Sequence, residues 1–173
     1  MQALLQRAAK IRLVIFDVDG VLTDGKLFFD AAGREYKSFH VRDGHGIKLL
    51  RDAGVEVAII SGRRAESVQQ RMQGLGVNHI FQGQEDKRAA LATLCATLNL
   101  KDEEIAHVGD DLQDLPLLRR VGLAVAVADA HEAILPHVHW VTKQPGGSGA
   151  AREVCDLVLR AKGALDGIVR GFY

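Results

Sequence analysis

The chain has 173 residues, 47% hydrophobic and 25% charged, which suits one water-soluble domain with a sizeable core. Lys plus Arg equals Asp plus Glu at 22 each, and the resulting formal net charge of zero argues against binding to nucleic acid or a membrane surface through bulk charge. No stretch approaches the ~20 apolar residues that a spanning helix needs.

Met1 to Lys10 has no long apolar core before a small-residue cleavage site, so it reads as a short amphipathic helix or lead-in, not a secretion signal. Ile11 to Phe16 is an almost unbroken apolar run rich in β-branched residues, the mark of a strand buried on both faces of a parallel sheet. Asp17-Val18-Asp19-Gly20 follows it. In extended backbone, residues i and i+2 point to the same side, so the two carboxylates emerge together at the strand's carboxyl end. Open α/β sheets place their active sites there. Asp and Gly are also common turn residues, so this motif needs the rest of the chain to carry weight.

Residues 26–39 read as a β-hairpin, two short strands around the turn Asp30-Ala31-Ala32-Gly33. Gly46 to Ala53 reads as a helix closed by Gly54, and Val55 to Ile60 as a second apolar strand ending at Ser61-Gly62-Arg63. Arg64 to Gln73 fits a helix, His79 to Phe81 a short strand, and Lys87 to Leu98 a helix. Ile105 to Val108 is a strand ending at Gly109-Asp110-Asp111, and Leu112 to Arg120 a helix. Gly122 to Val127 is a strand, Ala130 to Leu135 a short helix, and Val138 to Thr142 a last strand. Gly146-Gly147-Ser148-Gly149 suits a lid hinge or a flexible linker before a C-terminal helix from about 150 to 162. Repeated βα units predict a three-layer, doubly wound parallel sheet with a hairpin insertion, a single domain over 1–173 with a C-terminal tail from about 143. His137-Val138-His139 reads as ordinary strand histidines, not a metal site. Cys95 and Cys155, with no CxxC, read as reduced core thiols of a cytoplasmic protein.

Three strands thus end in polar motifs, and Lys87 opens the helix after the short third strand. Adjacent strands lie about 5 Å apart, so these groups can converge. Carboxylates, a hydroxyl and an ammonium together suit the holding of Mg²⁺ and a phosphoryl group. A carboxylate can attack phosphorus, and a second carboxyl can move the proton.

DxDGV at 17–21, SGR at 61–63, Lys87, and GDDxxD at 109–114 resemble, in order and spacing, the four motifs of the haloacid dehalogenase superfamily phosphatases. The resemblance covers nearly the whole chain. It implies that Asp17 is the nucleophile and a Mg²⁺ ligand, and that Asp19 is the general acid/base whose carbonyl also meets the metal. It implies further that Ser61 binds phosphoryl oxygens, that Lys87 stabilises the phosphoryl group, and that Asp110 completes the metal site. Asp111 and Asp114 stay open between a water-mediated metal contact, orientation of Lys87, and charge at a helix N-terminus.

Neither the first nor the second inter-motif gap has room for a cap domain. Capless architecture, DVDGVLTDG, a hairpin and then His40-Val41-Arg42-Asp43-Gly44 resemble the 3-deoxy-D-manno-octulosonate 8-phosphate phosphatases. That resemblance implies a sugar-acid phosphate substrate of lipopolysaccharide synthesis. It implies substrate contacts from Asp19, His40, Val41, Arg42, Asp43, Gly44, Lys48, Arg63, Arg71 and Lys87. It also implies a homotetramer in which hairpins assemble centrally and neighbours supply the lid. A lone surface Lys48 and a solvated helix face for Arg71 are the plainer readings of those two. The apolar Phe28, Phe29, Tyr36 and Phe39 suit a hairpin interface. Three rivals remain: a capless phosphatase for a nine-carbon keto-sugar acid phosphate, a phospho-receiver-like domain, and a scaffold subunit without catalysis. Receivers lack an acid/base Asp two residues after the phosphorylated one, so Asp19 favours turnover.

Overall fold

The computed structural model describes residues 1–173. In chain order, α1 (Gln2–Lys10) leads into β1 (Leu13–Phe16), the hairpin strands β2 (Phe28–Phe29) and β3 (Glu35–Tyr36), and α2 (Val41–Asp52). Then come β4 (Glu56–Ser61), α3 (Glu66–Gly74), β5 (His79–Gln82), α4 (Lys87–Leu98), β6 (Ile105–Gly109) and α5 (Leu115–Leu118). The chain closes with β7 (Leu123–Ala126), β8 (Trp140–Val141), α6 (Ala150–Ala161) and α7 (Leu165–Arg170).

Six strands form one parallel sheet in the order β5-β4-β1-β6-β7-β8. Strand alternation divides the apolar side chains between two faces. Val14 and Phe16 of β1 join α1, α2, α3 and α6 in a cluster of 28 buried residues. Leu13 and Ile15 face the other way, into a cluster of 14 with α4 and α5. β1 is therefore fully buried, as its apolar run requires.

The order of strands reverses beside β1. The chain first builds outward through β4 and β5, then crosses to β6 on the other side of β1. Parallel sheets open a crevice at such a switch point, outside the carboxyl ends of the strands. Phe16 pairs with Ile59 of β4 and Val108 of β6, so the residues that follow all three strands reach the same level.

Several boundaries differ from expectation, each for a local reason. α2 starts at Val41, not Gly46, so the segment 41–44 is helical despite its glycine. Asp43 anchors that turn by accepting hydrogen bonds from the backbone N–H groups of Gly149 (3.3 Å) and Arg152 (2.8 Å). The predicted helix over 112–120 divides into a 3₁₀ turn, Leu112–Asp114, and the short α5, because Asp111 and Asp114 form a reciprocal capping box around the turn. The predicted helix over 130–135 is a 3₁₀ turn, Glu132–His137, containing Pro136. The predicted last strand shortens to Trp140–Val141. His137 thereby lies in the 3₁₀ turn and His139 outside β8, where its Nδ1 accepts from the Ala124 N–H at 2.9 Å. α7 had no counterpart in the sequence reading. Cys155 is buried in α6, whereas Cys95 is half-buried and no core residue; both are free thiols.

At the start of the Gly146 to Gly149 segment the chain packs closely against the loop after β1. A Cβ on Gly146 would sit 1.7 Å from the Gly20 carbonyl, and the Gly147 N–H donates to Val21 O at 2.9 Å. These glycines permit close approach to the loop after β1. No helix is long and apolar enough to cross a membrane.

Candidate active site

The loop after β1 is built around Thr23. Its hydroxyl donates to Val18 O (3.3 Å) and accepts from the N–H groups of Gly20 (3.4 Å) and Gly25 (3.2 Å). Asp17 is nearly buried and is tied to β6 by its N–H, which donates to Val108 O at 3.0 Å. Gly20 has φ +84°, and a Cβ there would lie 2.1 Å from Asp110 Oδ2. The glycine of the first motif is thus what lets the first aspartate of the fourth approach.

Lys87, the first residue of α4, is buried. Its Nζ lies 2.9 Å from Asp17 Oδ1 and 2.7 Å from Asp114 Oδ1. Asp114 is fully engaged: Oδ1 also meets His107 Nε2 at 2.8 Å, and Oδ2 accepts from the N–H groups of Asp110 (3.0 Å) and Asp111 (3.4 Å). Burial pushes Asp114 up, but His107 and Lys87 more than offset it and hold the carboxyl well below the usual range. Burial likewise depresses the Lys87 ammonium, yet the charges of Asp17 and Asp114 raise it above its ordinary value.

Asp17 and Asp110 behave oppositely. Burial, then the charge of Asp114, pushes Asp17 up to about 6 despite Lys87. Burial, then the charges of Asp17 and Asp114, pushes Asp110 up to about 8. Oxygens of Asp17, Asp110 and Asp114 all lie within 4.8 Å of one another. Since Asp114 is spent on Lys87, His107 and two backbone donors, Asp17 and Asp110 are the pair left wanting a cation.

Both open onto a cavity of about 480 Å³ with no hydrophobic lining residue. Six carboxylates line it, from Asp17, Asp19, Glu85, Asp110, Asp111 and Asp114, against one guanidinium, from Arg63. Such a wall repels a phosphate unless a divalent cation neutralises it, and hard carboxylate oxygens suit Mg²⁺. Ser61 is buried at the end of β4 and its Oγ accepts from the Arg63 N–H at 3.2 Å.

The cavity thus gathers Asp17, Asp19, Ser61, Arg63 and Asp110, with Lys87 directly behind. It does not gather the other residues carried over for substrate. His40, Asp43, Gly44 and Arg71 share a separate small recess with Leu22, Phe39 and Met72. Val41, Arg42 and Lys48 are exposed on α2. Asp43 in particular is a buried backbone anchor, with its carboxyl raised by that burial. The motifs alone did not single out His107, Glu35 or Lys37; no sequence periodicity places a hairpin side chain in a distant site.

Comparison with known proteins agrees with this geometry. Residues 78–154 match the family model described as haloacid dehalogenase-like hydrolase. The chain is 52% identical over 163 residues to 3-deoxy-D-manno-octulosonate 8-phosphate phosphatase KdsC of Yersinia pestis, covering 94% of this chain and 87% of that one. It is 49% identical over 162 residues to the protein of the same name from Escherichia coli K12, covering 94% and 86%. Among solved structures it resembles the 3-deoxy-D-manno-octulosonate 8-phosphate phosphatase of Moraxella catarrhalis, which was determined with a magnesium ion, a phosphate ion and a KDO molecule. That match has a TM-score of 0.98 and 39% identity, covering 100% of this chain and 99% of that one. These matches set it among hydrolases, not phospho-receivers. The chain belongs to the 3-deoxy-D-manno-octulosonate 8-phosphate phosphatase family of haloacid dehalogenase-like hydrolases.

Proposed function

We propose that the protein is a Mg²⁺-dependent phosphomonoesterase that hydrolyses 3-deoxy-D-manno-octulosonate 8-phosphate to the free sugar acid and phosphate, in lipopolysaccharide synthesis. The observation that carries this reading is the buried Lys87 bridging Asp17 and Asp114 beside an acidic, cation-demanding cavity.

Asp17, the backbone carbonyl of Asp19, and Asp110 would hold the metal. Mg²⁺ there would supply positive charge that offsets the phosphoryl oxygens and favours ionised Asp17. Asp17 attacks phosphorus and forms an aspartyl-phosphate. Lys87, kept charged by its two aspartates, offsets negative charge on the transferring group. Ser61 donates to a phosphoryl oxygen. Asp19 gives a proton to the leaving sugar oxygen, then removes one from the attacking water.

Arg63, exposed at the rim, suits the sugar-acid carboxylate. His40, Val41, Arg42, Asp43, Gly44, Lys48 and Arg71 lie off this cavity. If they serve substrate as their family match implies, they serve a site that includes a second copy of the chain. A homotetramer with neighbours as lids meets that need, since 1–173 forms one catalytic unit without a cap. The exposed apolar side chains Phe28, Phe29 and Tyr36 on the hairpin support an interface there. Two free thiols suit a cytoplasmic setting.

Acid quench during turnover, followed by mass spectrometry, tests the covalent step. A phosphoryl adduct on the peptide carrying Asp17, absent in Asp17→Asn, supports it. Its absence from the wild type under burst conditions contradicts it.

A further inference from the structure

Side chains alternate along the second hairpin strand, so Tyr36 stands out to solvent while Glu35 and Lys37 turn back toward the body of the protein. Lys37 is the anchor of this pair. Its side chain is 1% exposed, and its Nζ donates to Asp19 Oδ1 and, at 2.5 Å, to Glu35 Oε1. A buried ammonium is costly unless its partners stay in place, so Lys37 and Glu35 fix one another. The second oxygen of Glu35, Oε2, accepts from Arg63 Nη2 at 2.8 Å. Glu35 thus has one oxygen tied inward and the other tied to the cavity rim.

Arg63 carries the only positive charge among the cavity's lining residues, against six carboxylates. An anionic group on the far end of a substrate has no other cation in that wall to meet. The Arg63 side chain is 46% exposed. Its contact with Glu35 is the one hydrogen bond its guanidinium makes, so the other N–H groups remain available to a planar carboxylate. A long, half-exposed arginine samples many rotamers, and fixing it only when a ligand arrives weakens binding. Glu35 fixes it in advance.

We propose that Glu35 is a positioning residue for substrate specificity: through Oε2 it holds the Arg63 guanidinium at the cavity rim, ready for the carboxylate of a sugar-acid phosphate. The inference rests on the reading given above, in which Arg63 takes that carboxylate. Glu35 touches no substrate and takes no part in bond making at phosphorus. It acts on binding, and only for substrates that carry a second anionic group. A glutamate that merely anchored Lys37 and the hairpin would act on every phosphate ester alike.

The test is steady-state hydrolysis, with Mg²⁺, of 3-deoxy-D-manno-octulosonate 8-phosphate and of 4-nitrophenyl phosphate, which has no carboxylate. It is measured for wild type, Arg63→Met, Glu35→Ala, Glu35→Gln and the double variant Glu35→Ala/Arg63→Met. Arg63→Met is expected to raise KM for the sugar-acid phosphate about 10–100-fold, as for the loss of a hydrogen-bonded charge pair. Glu35→Ala should raise it about tenfold with kcat within about threefold of wild type, as for binding shared by the ground and transition states. Glu35→Gln keeps an acceptor for Arg63 and should lose less. Both Glu35 variants should handle the aryl ester much as wild type does. The double variant should be no worse than Arg63→Met, because Glu35 acts through Arg63. If Arg63→Met raises KM but the Glu35 variants do not, or if they impair both substrates alike, the role of Glu35 is overturned and the phosphatase reading stands. If Arg63→Met leaves KM unchanged, the carboxylate contact falls, and the proposal with it. A wild type inactive on the sugar-acid phosphate would overturn the underlying reading itself. Should Glu35→Ala fail to fold, Glu35→Gln, alone and combined with Arg63→Met, decides.

Discussion

Asp17, Asp110 and Asp114 crowd one corner; Asp17 and Asp114 share Lys87, and only Asp114 also meets His107. The other two are raised to about 6 and about 8. Between about pH 4 and pH 8 the metal-free folded chain therefore binds more protons than the unfolded chain, so stability falls as pH rises through that window. A divalent cation favours the ionised carboxylates and reverses the trend. Thermal unfolding with and without Mg²⁺ checks this. At a Mg²⁺ concentration a hundred times the Kd at pH 8 the metal should add about 2.7 kcal/mol there, or about 5–10 °C in Tm, and less at pH 5 at the same concentration. Equal stabilisation at both pH values would show that the raised aspartates are not the ligands. Gly20→Ala should behave as a metal-site lesion, because its Cβ would lie 2.1 Å from Asp110 Oδ2 at φ +84°. Calorimetry should find metal affinity down about 10–100-fold, as for loss of a supporting contact. Asp17→Asn should abolish turnover, since an amide is a poor nucleophile and a weak ligand.

Among the elements, α2 and α6 are joined through Asp43, which accepts from the backbone at the start of α6. Asp43→Ala removes a cap and leaves buried N–H groups unsatisfied, so it should cost about 1–3 kcal/mol in denaturant unfolding. Metal affinity should change little, because Asp43 lies outside the acidic cavity. Strands β1, β4 and β6 were legible in the sequence because each is an apolar run ended by a polar motif, and they frame the site. Asp17, Ser61, Lys87 and Asp110 were legible for the same reason: local spacing puts them at strand or helix ends. What was not legible depended on contacts between distant segments. The early start of α2 hangs on α6, over a hundred residues away. Composition at 146–149 gave no sign that Gly146 and Gly147 pack closely on the loop after β1. Nothing in the sequence singled out Lys37 and Glu35, which the fold carries to Asp19.

For the molecule as a whole, a capless site must exclude water by other means. The hairpin leaves Phe28 at 49%, Phe29 at 57% and Tyr36 at 49% exposure, and the chain ends in exposed Phe172 and Tyr173. An assembly built on the hairpin should dissociate in Phe28→Ser/Phe29→Ser, seen as a loss of mass in sedimentation. Activity should fall with the assembly if neighbours complete the site. Unchanged mass would remove the hairpin interface. The central claim is the substrate itself. Phosphate release with Mg²⁺ should be compared for 3-deoxy-D-manno-octulosonate 8-phosphate, its nine-carbon analogue and a generic aryl phosphate. The account predicts strong preference in kcat/KM for the eight-carbon ester; equal or faster release from the others, or none from any, would contradict it.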